Sequence, residues 1–568
     1  MPVPQALGTQ ALSQPASELN RLSVKTSCLL PRGTVLLALL ISLVMIGVVY
    51  RDLSPTWDEP AHIGNGIAWL TPPHRMIDPV DPPAGRVSAA LGPWLFGAEA
   101  VNIHRPWDAG NLVLSQSGHY WRTATLARLG ILPWYLLAVF LVWSMTRRWL
   151  GEWPAALAAV LFIFCPPILA NASLATTDVP FLAAFLLAVD RIWIALLHSG
   201  WRNYAWAGFA IGLACASKMS GLPFLFLMVL VLAGYLWFAE RKAPAEARHP
   251  LPRFTAVVFT FAVMLITIWA AYRFQTSPVI SSAAGQRHAA RLAAKTGPLR
   301  PAIMALLNHM PASQFLQGIR DARTLAKHPP RDYLFGHNYT RGYTWFFFFM
   351  LMVKTPIPLL ILGLAGLCLA LRALLSGGDL FVIVPLAGFF IPMLIATASH
   401  VHLGIRHILV VYAFLAMLSA FAARWLIARS GIAKPVKIGA LCALVAWNVT
   451  ATLIATPDFL PWYNEISAPW ATEIHLGSDY DWGQDLSRLS TKLRDLHADQ
   501  AWITYNGSLD LNQFSLPPWQ PLPEGKPVTG WIAISEARYR TQPEAYGWLA
   551  AYKPVAIAGK TIRIYHIQ

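Results

Sequence analysis

The sequence predicts an α-helical polytopic membrane protein with about eleven transmembrane helices and a small α/β domain at its carboxyl end. Of its 568 residues, 56% are hydrophobic and 13% are charged, whereas a soluble domain carries about 25% charged residues. The mean hydropathy is +0.46. Eleven apolar runs are followed by a more polar stretch from residue 457 onward. This composition excludes a water-soluble globular enzyme.

The first 33 residues are rich in Ser, Gln and Pro and precede an apolar run over residues 34–50. That run is long for the core of a signal peptide, and no A-x-A cleavage site follows it, so we expect an uncleaved first helix with a cytoplasmic N-terminus. The other apolar runs cover residues 126–146, 154–173, 179–197, 204–217, 220–239, 254–274, 346–371, 379–398, 407–425 and 437–456.

Basic residues support this orientation. With the N-terminus inside, each predicted cytoplasmic turn contains Lys or Arg, as the positive-inside rule requires. Eleven crossings then place the C-terminus outside, together with two long loops at residues 51–123 and 275–345. We therefore divide the chain into a cytoplasmic segment 1–33, a transmembrane domain 34–456 and an outer domain 457–568.

The pattern of the outer domain differs from that of the helices before it. Short runs at residues 501–505, 530–534 and 561–565 are typical of strands, and residues 484–497 are typical of a helix. These elements predict a small α/β domain on the outer face.

The charge distribution and the cysteine content limit which binding partners and metal or disulfide sites are expected. The formal charge is +16, but the stretch 458–568 has 12 acidic and 9 basic residues, so the positive excess lies in the membrane part. Membrane lipids, and not nucleic acid, are the expected partners. The five cysteines form no CxxC pair, which argues against a disulfide framework or a thiolate metal site.

The stretch Thr56-Trp57-Asp58-Glu59-Pro60-Ala61-His62 lies just beyond the first predicted helix. A carboxylate pair at the mouth of a membrane protein can supply a general base, because partial burial and a like-charged neighbour raise the basicity of one member. Alternatively, Asp58 and Glu59 cap the helix that starts at Pro60. The two interpretations are compatible.

The same loop contains Asp78-Pro79-Val80-Asp81-Pro82-Pro83-Ala84-Gly85-Arg86 between two modest apolar segments. Arg86 would place a fixed cation beside the bilayer. The alternative is a proline-rich turn with an ordinary surface arginine.

These motifs resemble the membrane glycosyltransferases of the GT-C fold. The Asp-Glu pair, the Pro-Pro-x-Gly-basic turn and Ala175-Thr176-Thr177-Asp178 are most similar to the protein O-mannosyltransferase and aminoarabinose-transferase branch, glycosyltransferase family 39. Further similar stretches are residues 212–221, 354–358, 402–407 and 479–486. The resemblance implies GT-C architecture, a bacterial inner-membrane location and a polyprenyl-phosphate-linked sugar as donor, with no cofactor and no metal.

One departure concerns the sugar. The mannosyltransferase pattern His-Pro-Pro-Leu-Gly-Lys is replaced here by Asp81-Pro82-Pro83-Ala84-Gly85-Arg86. Arginine keeps the charge and adds a bidentate grip on phosphate. The sugar, and whether the acceptor is a protein, a lipid or an envelope glycan, stay open.

The resemblance implies roles for individual residues. Asp58, with Glu59, is the expected base, and inversion at the anomeric carbon follows from attack opposite the phosphate. Asp178 orients the acceptor or supports the base, unless it only caps a helix. Arg86, Lys218, Lys354 and Arg406 are candidates for the carrier phosphate, although some could snorkel to the surface.

Substrate contacts are expected from His62, His337, Tyr339 and His407. The aromatic group around His337 and Tyr339 is either a sugar platform or an interfacial belt. The second long loop is strongly basic, so it would attract an anionic lipid carrier. Rival functions are a transporter or flippase for the carrier lipid or sugar, and a catalytically silent scaffold.

Overall fold

The computed structural model describes residues 14–241, 252–280, 283–328, 332–339, 342–376 and 380–568. The first thirteen residues of the predicted cytoplasmic segment lie outside these ranges. So do Lys242 and Arg248 of a predicted cytoplasmic turn, and Arg331 and Arg341 of the basic loop.

Helices form most of the described chain. In the first half they are α1 (Gln14–Asp52), α2 (Glu59–Leu70), α3 (Pro83–Leu95), α4 (Pro106–Ser115), α5 (Tyr120–Leu129), α6 (Leu132–Leu150), α7 (Glu152–Ile163), α8 (Pro166–Ala172), α9 (Asp178–Leu197), α10 (Trp201–Cys215), α11 (Gly221–Arg241) and α12 (Phe254–Ala271). In the second half they are α13 (Ala283–Ala294), α14 (Arg300–Asn308), α15 (Ser313–Lys327), α16 (Phe346–Lys354), α17 (Ile357–Leu375), α18 (Ile383–Ser399), α19 (Val410–Ala428), α20 (Lys434–Ile454), α21 (Ala471–Ile474), α22 (Leu486–Asp495), α23 (Glu536–Thr541) and α24 (Pro543–Tyr546).

The chain is a multi-pass membrane protein. Among the described residues, nine helical stretches are long and apolar enough to cross a membrane, and the bent pair α7 and α8 would make ten. The predicted run 204–217 is helix α10, which has only 15 residues. Each of the eleven predicted runs is therefore helical, although not all are full-length straight spans.

Prolines explain two departures from straight spans. Helices α7 and α8 meet at an angle of 66°, at Cys165-Pro166-Pro167. The predicted run 346–371 is split into α16 and α17 at Thr355-Pro356. Proline lacks an N–H and clashes with the preceding turn, which disfavours an unbroken helix at these two positions.

Helices α9 and α19 form the centre of the bundle. In α9, 83% of the apolar stretch is buried, and in α19 it is 72%, whereas α12 and α20 have only 17% buried. The exposed apolar faces of the last two helices suit a lipid environment. The loop between α1 and α5 folds into the short helices α2, α3 and α4 at the end of the bundle where α1 finishes.

Two small two-stranded antiparallel sheets precede the C-terminal domain. The paired strands are β1 (Thr276–Ser277) with β2 (Met310–Pro311), and β3 (Asp332–Leu334) with β4 (His337–Tyr339). The C-terminal domain contains β5 (Ala501–Thr504), β6 (Trp519–Pro521), β7 (Gly530–Ser535), β8 (Ala556–Ala558) and β9 (Ile562–Ile567). They form one five-stranded sheet in the order β6-β5-β7-β9-β8.

This sheet confirms the predicted α/β domain. β5 is parallel to β6 and β7, whereas β9 is antiparallel to β7 and β8. The three predicted strands and the predicted helix correspond to β5, β7, β9 and α22. The additional strands β6 and β8 are only three residues long, too short for a clear alternating pattern.

The sheet joins the C-terminal domain to the membrane bundle. Ala533 and Ile564 belong to the same buried cluster as the membrane helices, whereas Ile532 and Tyr565 belong to a separate cluster on the opposite face. Successive residues of a strand point to opposite faces, so one face of the sheet continues the core of the bundle.

Candidate active site

Asp58 lies between α1 and α2, where it is held by the C-terminal domain. The Ser54 N–H donates to the Gln484 carbonyl at 3.0 Å, and the Trp57 N–H donates to the Trp482 carbonyl at 2.9 Å. Asp58 occupies the position before α2 but forms no side-chain capping hydrogen bond. The carboxylate instead contacts Arg406, so the expected helix-capping bond is not formed.

Four charged side chains meet at this point, and we call them the charge cluster: Asp58, Asp178, Lys218 and Arg406. Arg406 Nη1 lies 2.7 Å from Asp58 Oδ2 and 3.7 Å from Asp178 Oδ2. Lys218 Nζ lies 2.5 Å from Asp178 Oδ1. The side chain of Asp58 is 22% exposed, so a small molecule can approach it. Arg406 thus contacts the predicted base directly, and Asp178 and Lys218 are linked to it through Arg406.

Asp178 is the first residue of α9, and its carboxylate accepts a hydrogen bond from Lys218. The loop before it packs against the start of α3. A Cβ atom at Gly85 would lie 3.0 Å from Thr177, so the glycine of the Pro-Pro-x-Gly-basic turn permits this close approach. The two motifs that the sequence places far apart are therefore neighbours in the fold.

Arg406 is oriented by three contacts. It lies in the short 3₁₀ turn Ile405–Ile408, and its Nε donates to the Leu403 carbonyl at 3.1 Å. The Ile405 N–H donates to the Asp479 carboxylate at 3.0 Å. The guanidinium carbon lies 4.3 Å from the centre of the Trp482 ring. Burial alone would lower the pKa of Arg406, but the neighbouring Asp58 and Asp178 raise it, so this side chain stays charged.

Glu59 has a different environment from Asp58. Its side chain is 1% exposed. Oε1 accepts from Arg128 Nε at 2.8 Å and from the Ala175 N–H at 2.9 Å. Oε2 accepts from Arg128 Nη2 at 3.0 Å and from the Thr56 N–H at 2.6 Å. The expected catalytic role of Glu59 does not fit these contacts, because both oxygens are occupied and inaccessible; it holds the Asp58 segment in place.

Arg86 lies beside the charge cluster without contacting Asp58. Its Nη2 is 3.1 Å from Asp78 Oδ2 and 3.4 Å from Asp81 Oδ2, and only 3% of its side chain is exposed. Burial raises the pKa of Asp81, but the charges of Arg86, His62 and Lys218 bring it below its usual value. Arg86 is thus already paired with carboxylates, and Asp81 is within electrostatic reach of the cluster.

Both predicted histidines of this region lie near those charges. His62 Nδ1 is 4.0 Å from Asp81 Oδ2. His407 shares the 3₁₀ turn with Arg406. Burial and the charges of Lys218 and Arg406 hold the pKa of His407 well below its usual range. A neutral imidazole at this position can accept or donate a hydrogen bond to a substrate hydroxyl.

Lys354 does not join the charge cluster. Its ammonium donates to the Leu460 carbonyl at 2.9 Å and to the Asp479 carbonyl at 2.5 Å, and it lies 4.0 Å from the centre of the Tyr463 ring. The side chain is buried. Lys354 therefore fastens the end of α16 to the linker after α20, which corrects its expected role at the phosphate.

His337 and Tyr339 lie on the β3–β4 hairpin. The backbone N–H groups of Phe335 and Gly336 donate to Ile474 and Glu473 beside the C-terminal domain. Tyr339 packs against Tyr343 with ring centres 4.6 Å apart, and His337 is exposed. Within the described ranges, neither His337 nor Tyr339 contacts the charge cluster, so the structure does not bring these two predicted residues together with Asp58.

The sequence interpretation missed three residues that build the site. They are Arg128, Asp479 and Trp482. An arginine inside a predicted apolar run is a signal for Arg128. Asp479 and Trp482 lie in the stretch 479–486, but their partners are far away in sequence. Among the residues that the structure describes, no group of three or more His, Cys, Asp or Glu side chains is arranged to hold a metal ion.

Part of the site lies in a stretch of sequence that matches a known protein family. Residues 122–269 match the family described as dolichyl-phosphate-mannose-protein mannosyltransferase. This match includes Arg128, Asp178 and Lys218, and it confirms the motif-based resemblance over that stretch. A comparison with curated proteins gives no match.

Solved structures of similar architecture include two states of one bacterial protein. ArnT from Cupriavidus metallidurans in the apo state has 14% identity and a TM-score of 0.44, over 94% of this chain and 97% of that chain. The same protein bound to undecaprenyl phosphate has 13% identity and a TM-score of 0.44, over 94% and 98%. The archaeal oligosaccharyltransferase AglB from Archaeoglobus fulgidus, in complex with an inhibitory peptide and a dolichol-phosphate, has 13% identity and a TM-score of 0.47, over 95% and 74%.

Proposed function

We propose that the protein is a GT-C membrane glycosyltransferase that moves a sugar from a polyprenyl-phosphate carrier to a hydroxyl acceptor with inversion. The observation that carries this proposal is the Asp58–Arg406 contact of 2.7 Å within the charge cluster. It combines a partly exposed carboxylate with two cations at one end of a helical bundle. The match of residues 122–269 to the mannosyltransferase family supports the same class of donor.

The chemistry needs one base and positive charge. Asp58 accepts the proton of the acceptor hydroxyl, and the hydroxyl oxygen attacks the anomeric carbon from the side opposite the phosphate. The bond between that carbon and the phosphate oxygen breaks, and the phosphate leaves with the electron pair. Arg406 and Lys218 stabilise the charge on the leaving phosphate. Phosphate is a weakly basic leaving group, so a second acid is not required.

The phosphate would compete with Asp58 for Arg406. Before substrate binds, the guanidinium is shared between the carboxylates of Asp58 and Asp178. A bound phosphate would draw part of this interaction away, because guanidinium groups bind phosphate bidentately. Asp58 would then become free to receive the proton when the donor is in place.

The same geometry argues against a transporter. Along α9 from Asp178, the next turns present Phe181 and Phe185, whose rings pack against Phe224. Phe414 of α19 packs edge-to-face against Phe185 and extends this aromatic layer. This aromatic layer offers no polar groups for a sugar phosphate to cross. A bacterial inner-membrane location, with the C-terminal domain in the periplasm, is part of our proposal, since the donor and the base would then meet at the outer face.

The proposal is tested with Asp58→Asn. Removal of a general base lowers turnover by about 100-fold or more. The variant should still insert into the membrane in cells, and after purification it should elute from a size-exclusion column as the wild type does. The assay uses purified protein in detergent with the lipid and envelope extract of a strain lacking the gene, because donor and acceptor both accumulate there. Mass spectrometry follows the transferred sugar.

The matched control is Asp108→Asn, which changes an exposed carboxylate of α4 and should leave turnover unchanged. Detergent micelles have no two compartments, so transfer in this assay distinguishes an enzyme from a transporter. Wild-type turnover by the Asp58→Asn variant would refute the base assignment.

A further inference from the structure

The motif Asp479-Tyr480-Asp481-Trp482-Gly483-Gln484-Asp485 belongs to the C-terminal domain, yet it lies against the site. Its backbone accepts hydrogen bonds from Ser54 and Trp57, immediately before Asp58 in the sequence. The Ser54 hydroxyl also donates to the Gln484 carbonyl, at 2.8 Å. The position of the predicted base is therefore set by this motif.

The motif also orients Arg406. The Asp479 carboxylate accepts from the Ile405 N–H at 3.0 and 3.2 Å, one residue before the arginine. The Trp482 ring lies under the guanidinium with its centre 4.3 Å from the guanidinium carbon. Trp482 is 4% exposed, so the ring is fixed by its surroundings and offers one rigid face to Arg406.

The motif is internally braced. The Gln484 side chain donates to the Tyr480 carbonyl at 2.8 Å and accepts from the Trp482 N–H at 2.9 Å. The Asp485 carboxylate accepts from the N–H groups of Lys560 and Thr561, both at 3.1 Å. These bonds anchor the turn to the sheet of the C-terminal domain. The ring of Trp482 therefore has a position that does not depend on Arg406.

We propose that Trp482 is a positioning residue of the transfer site, and that the C-terminal domain thereby forms part of that site. The ring holds the Arg406 guanidinium facing Asp58 and Asp178, where it meets the carrier phosphate. An aromatic face attracts a guanidinium through the ring quadrupole, and it limits the guanidinium to motion across that face. This inference rests on the proposed function, because the role of Arg406 is defined by the reaction.

The test compares Trp482→Leu with Trp482→Phe in the detergent transfer assay with the full chain. Leucine fills part of the space but has no aromatic face, so kcat should fall about tenfold, and more than the donor KM rises. Phenylalanine restores an aromatic face and should recover kcat to within about threefold of the wild type. The Trp57 to Trp482 bond uses backbone atoms, so both variants keep it.

The matched control is Trp531→Leu in β7 of the same domain. Trp531 stacks on His566 with ring centres 4.2 Å apart and is not near the charge cluster. The Trp531→Leu variant loses a stacked, partly buried aromatic ring of the same domain and should keep wild-type kcat. Thermal unfolding midpoints of the two leucine variants show whether the fold is equally affected.

The outcomes separate the two proposals. Wild-type transfer together with a normal rate for Trp482→Leu overturns the positioning role alone. Equal losses for the leucine and phenylalanine variants, or an equal loss for Trp531→Leu, also overturn it, because the effect would then come from packing. No transfer by the wild-type protein overturns the proposed function and this inference with it.

Discussion

Asp58 and Glu59 are adjacent in sequence but have opposite surroundings. The Asp58 side chain is 22% exposed and contacts one arginine, whereas the Glu59 side chain is 1% exposed and is fully hydrogen-bonded. Environment, not residue type, decides which carboxylate can react. The Asp-Glu pair thus consists of one accessible carboxylate and one that holds the loop.

Glu59→Gln should strongly destabilise the protein. Burial raises the pKa of Glu59, but the Arg128 charge and its hydrogen bonds bring it below its usual value, so the native pair is ionised. Neutralising one partner leaves Arg128 as an uncompensated buried charge, which costs about 3–5 kcal/mol. The thermal unfolding midpoint of the purified variant in detergent measures the loss.

Glu99→Gln is the control, since Glu99 is exposed and its substitution should change little. A double variant, Glu59→Gln with Arg128→Gln, should lose less stability than the sum of the two single variants, because no charge is then left unpaired. A midpoint for Glu59→Gln equal to that of Glu99→Gln would contradict the structural role of the pair.

The conformation of the 3₁₀ turn that carries Arg406 depends on Gly404, the residue immediately before the turn. Gly404 has a φ angle of +89°, in the region that favours glycine. A Cβ atom there would lie 2.4 Å from Ser478 Oγ and 2.8 Å from the Asp479 carboxylate. The turn can approach the C-terminal domain only because this side chain is absent.

Gly404→Ala should therefore reduce both stability and turnover. The backbone angle alone costs about 1–2 kcal/mol, and displacement of Asp479 adds about 1–3 kcal/mol. Gly431→Ala is a matched control, because Gly431 has a φ angle of +107° and no atom within 4 Å of the added Cβ. Equal losses in unfolding midpoint and transfer rate for the two variants would mean that the contact with Asp479 is unimportant.

The helices were predictable from the sequence because apolar composition is a local property. All eleven apolar runs are helical, and the strands β5, β7 and β9 lie at the three runs that the sequence indicates. At Pro166 and Pro356, a proline divides one apolar run into two shorter helices. The proximity of the candidate site residues was predictable only in part. Asp58, Asp178, Lys218 and Arg406 meet as the motifs indicate.

Other roles depended on distant partners. Lys354 has the charge of a phosphate ligand, but its partners Leu460 and Asp479 lie more than a hundred residues away. Nothing near Lys354 in the sequence indicates those carbonyls. Trp482 likewise resembles an ordinary core residue until Arg406 is placed over its ring.

For the whole molecule, Arg488 joins three parts of the chain. Its Nε donates to Asp52 at the end of α1 at 2.9 Å, and its Nη1 donates to Asp458 after α20 at 2.6 Å and to Asp485 at 3.0 Å. Charge-assisted bonds of this kind are stronger than neutral ones. Arg488 therefore ties the first span and the linker after the last described span to the C-terminal domain.

Arg488→Gln should lower the free energy of unfolding by about 2–4 kcal/mol, because it leaves three neighbouring carboxylates without their shared cation. Limited proteolysis between α20 and α22 should become faster, and the unfolding midpoint should fall. Arg494→Gln on the same helix is the control, since Arg494 is exposed. Identical digestion rates for the two variants would show that Arg488 does not join these parts.

The pairing of Ser54 and Trp57 with the backbone of residues 482–484 has a consequence for biosynthesis. The ribosome makes the segment around Asp58 early and its partner more than four hundred residues later, after every membrane helix described has been synthesised. A nascent chain can therefore deliver its helices to the translocon while the segment around Asp58 still lacks its backbone partners. The site can therefore assemble only after residues 482–484 have been synthesised, and a chain interrupted before them cannot form it.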